Sequence, residues 1–312
     1  MMASPRLAVL AAALSACVGR TNSLGDKDAR PYHFETPRIV AELASNARTD
    51  NPTLTADLLE IYFTSDRVSG NGDVWVARRA NPALPFDPPS PIAEVNSASF
   101  ETSAAISGDG LTLRFGSDRG GGVGTTDIWM SNRPNRSASW STPVNVVALN
   151  TAAEDIPRPP GQHGLVMPLS SKNGTTTDYR TFLATRPSTG APFRMPVLVS
   201  ELATRSTVDA FLSDDGLTMF FSSSPMQFPG DAGPRPGDAG ATVDGGPGPS
   251  ADLYVTWRQS VDGSFSETEP LDDLNTAGDE RDPWLTPDGK TLYFTSDRDG
   301  ALTIYTAAVK PR

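Results

Sequence analysis

The 312 residues carry 26 Lys and Arg against 37 Asp and Glu, a formal charge of −11, which argues against a nucleic-acid binder held by phosphate contacts. The 27 glycines and 28 prolines, about a sixth of the chain, suit a turn-rich β protein. The length allows two ordinary domains or one large barrel-like one, either with a sizeable core.

The chain begins with an apolar run over residues 7–14, behind Arg6 and ahead of Ser15-Ala16-Cys17. A bilayer span needs roughly 20 apolar residues, so this shorter run reads as an export signal. No later stretch approaches spanning length. Leu14-Ser15-Ala16-Cys17 resembles the lipobox of bacterial lipoproteins, in which the Cys thiol is lipidated and becomes the new N-terminus. The resemblance implies a signal peptide over 1–16, lipidation at Cys17 and a place in a bacterial envelope. Val18 after the Cys resembles outer-membrane sorting, on the periplasmic or surface face. Several acyl chains, at about 0.8 kcal/mol per buried CH₂, make such an anchor stable. Cys17 is the only cysteine, so a disulfide and a thiol nucleophile elsewhere are both excluded. Residues 17–33 read as a polar tether.

From residue 34 onward the chain repeats. An aromatic-to-apolar phrase through a turn or proline starts at Phe34, Phe86, Trp140, Phe193 and Phe265, at intervals of 52, 54, 53 and 72 residues. A second phrase, an apolar run through an Asp-led turn to a strand, occupies 54–67, 106–119, 212–223 and 285–298, with Asp-Gly in the last three, a closing Ser-Asp-Arg in all but 212–223, and a degenerate copy at 162–171. The long interval holds residues 229–250, a Pro, Gly, Ala and Asp tract that reads as a disordered insertion between two strands. Asp-Gly between apolar runs is a hairpin signal. Third strands follow at Trp75, Trp129, Tyr254 and Tyr305, and the aromatic phrase supplies a fourth. Four antiparallel strands per repeat make a propeller blade. The expected fold is therefore an all-β propeller of five four-stranded blades over 34–312.

The phrase Leu-Thr-Pro-Asp-Gly-Lys-Thr-Leu-Tyr-Phe-Thr-Ser-Asp-Arg at 285–298 resembles the WD40-like PD40 repeat of TolB-type β-propellers. That resemblance implies a binding platform for a protein or cell-wall partner. TolB-type propellers usually have six blades, whereas five units are recognised here. The chain opens on a fourth-strand phrase and ends on a third strand, 303–308. The N-terminal segment is thus expected to complete the last blade and close the ring.

Candidate chemistry is sparse. His33 and His163 lie in different contexts, one in the tether and one in a turn, which leaves little for a metal site or a Ser-His-Asp triad. Gly120 to Gly124 lacks the Gly-Lys-Ser/Thr of a phosphate loop. In Asp66-Arg67, Asp118-Arg119 and Asp297-Arg298 the Asp is expected to bond turn N–H groups while the Arg packs along a neighbouring strand. The third-strand aromatics are expected in the core between blades. Asp50, Glu101, Asp155, Asp209 and Asp282 are expected just before the first strands and form a candidate acidic ring at one mouth of the channel. They either tie adjacent blades together or bind a cation such as Ca²⁺ or a ligand, with Arg158, Arg205 and Arg281 near enough to relieve their repulsion. The expected function is a monomeric, non-catalytic envelope lipoprotein without a required cofactor. The alternatives are a glycan hydrolase using funnel carboxylates and a purely structural module.

Overall fold

The computed structural model describes residues 32–68, 70–172, 178–223 and 250–310. The signal peptide, Cys17, the tether up to residue 31 and residues 229–249 of the insertion lie outside them. Blade 4 is described up to Ser223 and again from Ser250.

Among the described residues twenty strands form five antiparallel sheets of four. After β1 (Arg38–Ile39), blade 1 holds β2 (Thr49–Leu54), β3 (Glu60–Ser65), β4 (Asp73–Arg78) and β5 (Ser90–Pro91). Blade 2 holds β6 (Glu101–Ile106), β7 (Thr112–Ser117), β8 (Asp127–Asn132) and β9 (Val144–Asn145). Blade 3 holds β10 (Asp155–Pro157), β11 (Val166–Lys172), β12 (Tyr179–Thr185) and β13 (Val197–Leu198). Blade 4 holds β14 (Thr207–Leu212), β15 (Thr218–Ser223), β16 (Asp252–Trp257) and β17 (Glu269–Pro270). Blade 5 holds β18 (Glu280–Leu285), β19 (Thr291–Ser296) and β20 (Thr303–Ala308), and its fourth strand is β1. The expected closure is present: Arg38 pairs with Thr306 and Ile39 with Tyr305. The Glu35 and Val40 amides donate to the carbonyls of Ala308 and Ile304 at 2.8 and 2.9 Å.

Two repeating arginines clamp the blades, and only the first was visible as a motif. In blades 1, 2 and 5 the Arg of Ser-Asp-Arg donates through Nε to the Ser two residues before it, at 2.9 to 3.0 Å. Its Nη2 reaches back to the carbonyls of Leu43, Val95 and Leu274. The guanidinium lies over the Phe of the second strand and the aromatic of the third, about 5 Å from each ring. These stacks bury the aromatics without stranding the charge. Asp118 and Asp297 accept the Phe100 and Asp279 amides, as expected of turn residues.

The second set, Arg79, Arg133, Arg186 and Arg258, follows the third strand of blades 1 to 4. Each stacks on the aromatic that opens the fourth-strand phrase, Phe86, Trp140, Phe193 or Phe265. Each also donates Nε to a turn carbonyl, that of Leu58, Gly110, Gly164 or Gly216. Those four residues all have positive φ, and Leu58, at +62°, stands in blade 1 where the others have glycine.

Candidate functional site

The inner strands β2, β6, β10, β14 and β18 follow one another around the axis, and β18 meets β2. Four of them bulge at their third and fourth residues, where the ladder with the second strand slips. The third residues, Asn51, Ser103, Asp209 and Asp282, take φ between +52 and +58°. This is an unusual conformation for non-glycine residues, and bulges of this kind re-aim side chains.

The bulge divides the candidate ring into two groups. Glu101 and Asp155 open their strands and fix turns. The Glu101 carboxylate accepts the Ser97 amide and hydroxyl, the Ser117 hydroxyl and Arg119 Nη2. Asp155 accepts the Thr151 amide and hydroxyl, and its burial pushes its carboxyl upward. Both are fully buried, so these two tie structure together. Glu280 does the same for blade 5, receiving Thr276, Ser296 and Arg298.

Asp50, Asp209 and Asp282 come together at the axis. Asp282 accepts the Asn51 amide at 3.1 Å and the Thr295 hydroxyl at 2.9 Å. Arg158, from the residue after β10, crosses the ring. Its Nη1 lies 3.7 Å from Asp282 and 3.3 Å from Asn51 Oδ1, and its Nη2 lies 3.3 Å from the Pro283 carbonyl. The Ser103 hydroxyl also donates to Asn51 Oδ1, at 3.0 Å. Arg158 has 0% exposure.

Asp209 hydrogen-bonds Asp282, and burial together with that neighbour holds its carboxyl well above the ordinary range. Asp50 is pushed up to about 6, by burial first; Arg48 opposes the rise and Asp282 adds to it. Two carboxyls sharing a hydrogen bond in a dry site cannot both ionise without cost. Arg281 pairs with Asp279 and its charge also acts on Asp209. Arg205 instead covers the Tyr254 ring at 5.2 Å. Among the described residues no group of three or more His, Cys, Asp or Glu is arranged to hold a metal ion.

Asn51 and Ser103 escaped the sequence reading because neither is charged. Their signal lay in alignment with Asp209 and Asp282 counted from the Asp-Gly turn, four residues before Ser/Thr in each unit. The histidines carry no catalytic constellation. His33 faces Asp273 at 3.3 Å and its carbonyl accepts the Lys310 amide, so Tyr32 and His33 already sit on the ring. His163 faces Asp214 at 2.9 Å on the surface.

On the face of the Asp-Gly turns, beyond the plugged axis, a groove of about 450 Å³ opens.

No family model matches the chain, and no curated protein matches it in sequence. Solved structures match its fold. An endo-arabinase from Bacteroides thetaiotaomicron aligns over 91% of this chain and 99% of its own, with 12% identity and a TM-score of 0.55. An α-L-arabinofuranosidase from Podospora anserina covers 90% and 96% respectively, with 9% identity and a TM-score of 0.53. A putative TolB from Agrobacterium tumefaciens covers 83% and 76%, with 13% identity and a TM-score of 0.50. At such identities the likeness carries the fold alone. The described residues form a five-bladed β-propeller, and the solved structures similar to it in fold include both arabinan-acting enzymes and a putative TolB.

Proposed function

We propose that this propeller is a non-catalytic binding module of the bacterial envelope, its repeats of PD40 type, held at the membrane through a lipidated Cys17 and presenting one face of the ring to a protein or cell-wall partner. One observation carries the binding reading: the axis is filled at mid-depth. Arg158, Asn51, Ser103 and Asp282 use their polar groups on one another, and Asp50, Asp209 and Asp282 are each at most 6% exposed. A funnel hydrolase needs its acid and base within reach of a sugar and a water. The membrane part of the proposal is supported by Leu14 to Cys17.

A second reading, glycan hydrolysis, is favoured by the raised carboxyls of Asp50 and Asp209, since a raised pKa suits a general acid. The two separate on one sample. The full chain assayed on arabinan, arabinofuranosides and a wider glycoside panel is expected to show no turnover above buffer. Turnover lost in Asp50→Asn or Asp209→Asn would replace the binding reading with the hydrolytic one. Cys17→Ala is expected to move the protein from the membrane to the soluble fraction, and unchanged fractionation would remove the anchor.

A further inference from the structure

We propose that the groove on the Asp-Gly-turn face is the docking site for an extended peptide segment bearing a lysine or arginine between apolar side chains; this rests on the binding-module reading and names the chemistry of its partner. The floor at the axis is made by Leu54, Ile106, Leu212 and Leu285, the last inner-strand residues of four blades. From there the groove runs between the turns of blades 4 and 5, reaching Phe211, Trp284 and Tyr32. Its volume falls in the range of roughly 300–1,000 Å³ typical of pockets that enclose ligands.

The opening has a structural cause. The turns of blades 1 and 2 are joined by the Ala56 amide to the Gly108 carbonyl at 2.9 Å, and those of blades 3 and 4 by the Gln162 amide to the Ser213 carbonyl at 3.4 Å. Among the described residues no backbone hydrogen bond joins the blade 5 turn, 286–289, to blade 4 or blade 1. Nor does one join the turns of blades 2 and 3 among the described residues, so the apolar floor is left uncovered along these seams.

The walls supply charge. Asp214, Asp215 and Asp288 line the groove. In Asp215 and Asp288 the turn uses Oδ1, which accepts the Ser213 or Thr286 hydroxyl and the amide two residues on. Asp215 has no cationic partner among the described residues, while Asp214 faces His163 and Asp288 faces Lys290 at 3.6 Å. Three carboxylates against one lysine and one histidine on an apolar floor select a cationic, partly apolar segment, and disfavour an acidic one by like-charge repulsion.

The test uses the full chain and two pools of blocked pentapeptides, one with central Lys and one with central Glu, the other positions drawn from Ala, Leu, Ile, Val and Phe. Titration by calorimetry is expected to show binding of the Lys pool, binding of the Glu pool at least tenfold weaker, and weakening of the first with added salt. The triple variant Asp214→Asn, Asp215→Asn, Asp288→Asn keeps the turn acceptors and removes the charges. It is expected to melt with the parent and lose about tenfold for the Lys pool. Equal binding of the two pools, no binding of either, or an unchanged triple variant would overturn the proposal. Self-association that the triple variant abolishes, with the peptide titration unaltered, would assign the groove to a second copy instead. Glycan turnover on the same sample would sink the binding-module reading, whereas an empty groove without turnover would sink this proposal alone.

Discussion

Blades 1, 2 and 5 hold their inner turns with a Ser-Asp-Arg arginine, whereas blade 3 has no such residue and sends Arg158 into the axis instead. In the three clamped blades the guanidinium is shared between carbonyl, hydroxyl and aromatic faces of its own repeat. In blade 3 the inner strand stops at Pro157 without a bulge, and the next residue bonds blades 1 and 5. The difference teaches that the degenerate repeat is specialised. It gives up the local clamp and supplies a buried cation, Arg158, that acts with Arg48 and Arg281 on the carboxylates from other blades that meet at the centre.

The strongest way to break that contrast is Arg158→Ala. It leaves Asp282 and the Pro283 carbonyl buried beside a void, and removing one partner of a buried pair costs about 3–5 kcal/mol. Melting is expected to fall by roughly 10 °C; a fall of about 2 °C or less would show that water replaces the guanidinium. Arg119→Ala in blade 2 is expected to cost about 2–3 kcal/mol, because it strips a charge-assisted bond from buried Glu101 and leaves the Val95 carbonyl without its donor. Lys172→Ala in blade 3, whose pair with Glu154 is partly exposed, is expected to cost less than about 1 kcal/mol by the same melting assay.

Proton linkage sharpens the same comparison more gently. Asp50 and Asp209 have raised carboxyls in the folded ring, from about 3.8 to about 6 for Asp50 and upward for Asp209. The folded state therefore binds protons more tightly than the unfolded one. The stability this confers is full below about pH 3.8 and is lost as pH rises through about 6 for Asp50. Chemical denaturation is expected to show the ring gaining stability from pH 7 to 5, and Asp50→Asn, Asp209→Asn is expected to flatten that slope. Effects of about the size of the Lys172 change concern the turn residue at positive φ. Gly110→Ala is expected to cost about 1 kcal/mol, since its Cβ would meet Arg136 Nε at 2.8 Å. Leu58→Gly relieves φ +62° but loses partly buried packing, so its melting temperature is expected to stay within about 2 °C of the parent.

The blades were legible because Asp-Gly turns and opening aromatics recur at a fixed spacing, and even β1 could be assigned to blade 5 from the order of the phrases. Blade 3 read as degenerate for a physical reason: its turn uses Gln162 and His163 at positive φ ahead of Gly164, so the Asp-Gly signal is absent. The site was legible only in part. Asp50, Asp209 and Asp282 lie close together, whereas offsets counted along the chain placed Glu101 and Asp155 in the same row. The bulge inserts a residue into the ladder and turns the rows apart, and no local pattern announces it. Arg158 was noticed for its proximity in sequence, yet its partners lie 107 and 125 residues away, a distance that periodicity does not reach.

Closure by residues 38–39 against 303–308 also sets an order in time. Phe34 and Val40, both buried in the finished ring, have no place to go until nearly the whole chain is available, because their partners are Val309 and Ile304. Blades 1 to 4 can each zip from neighbouring strands, but the final seam joins the two ends of the ring at almost the largest separation the domain allows. Contacts of that range slow folding and lengthen the interval in which apolar edges are exposed. The pairing of the earliest strand with the last is thus the contact whose sequence separation weighs most against rapid closure of the ring.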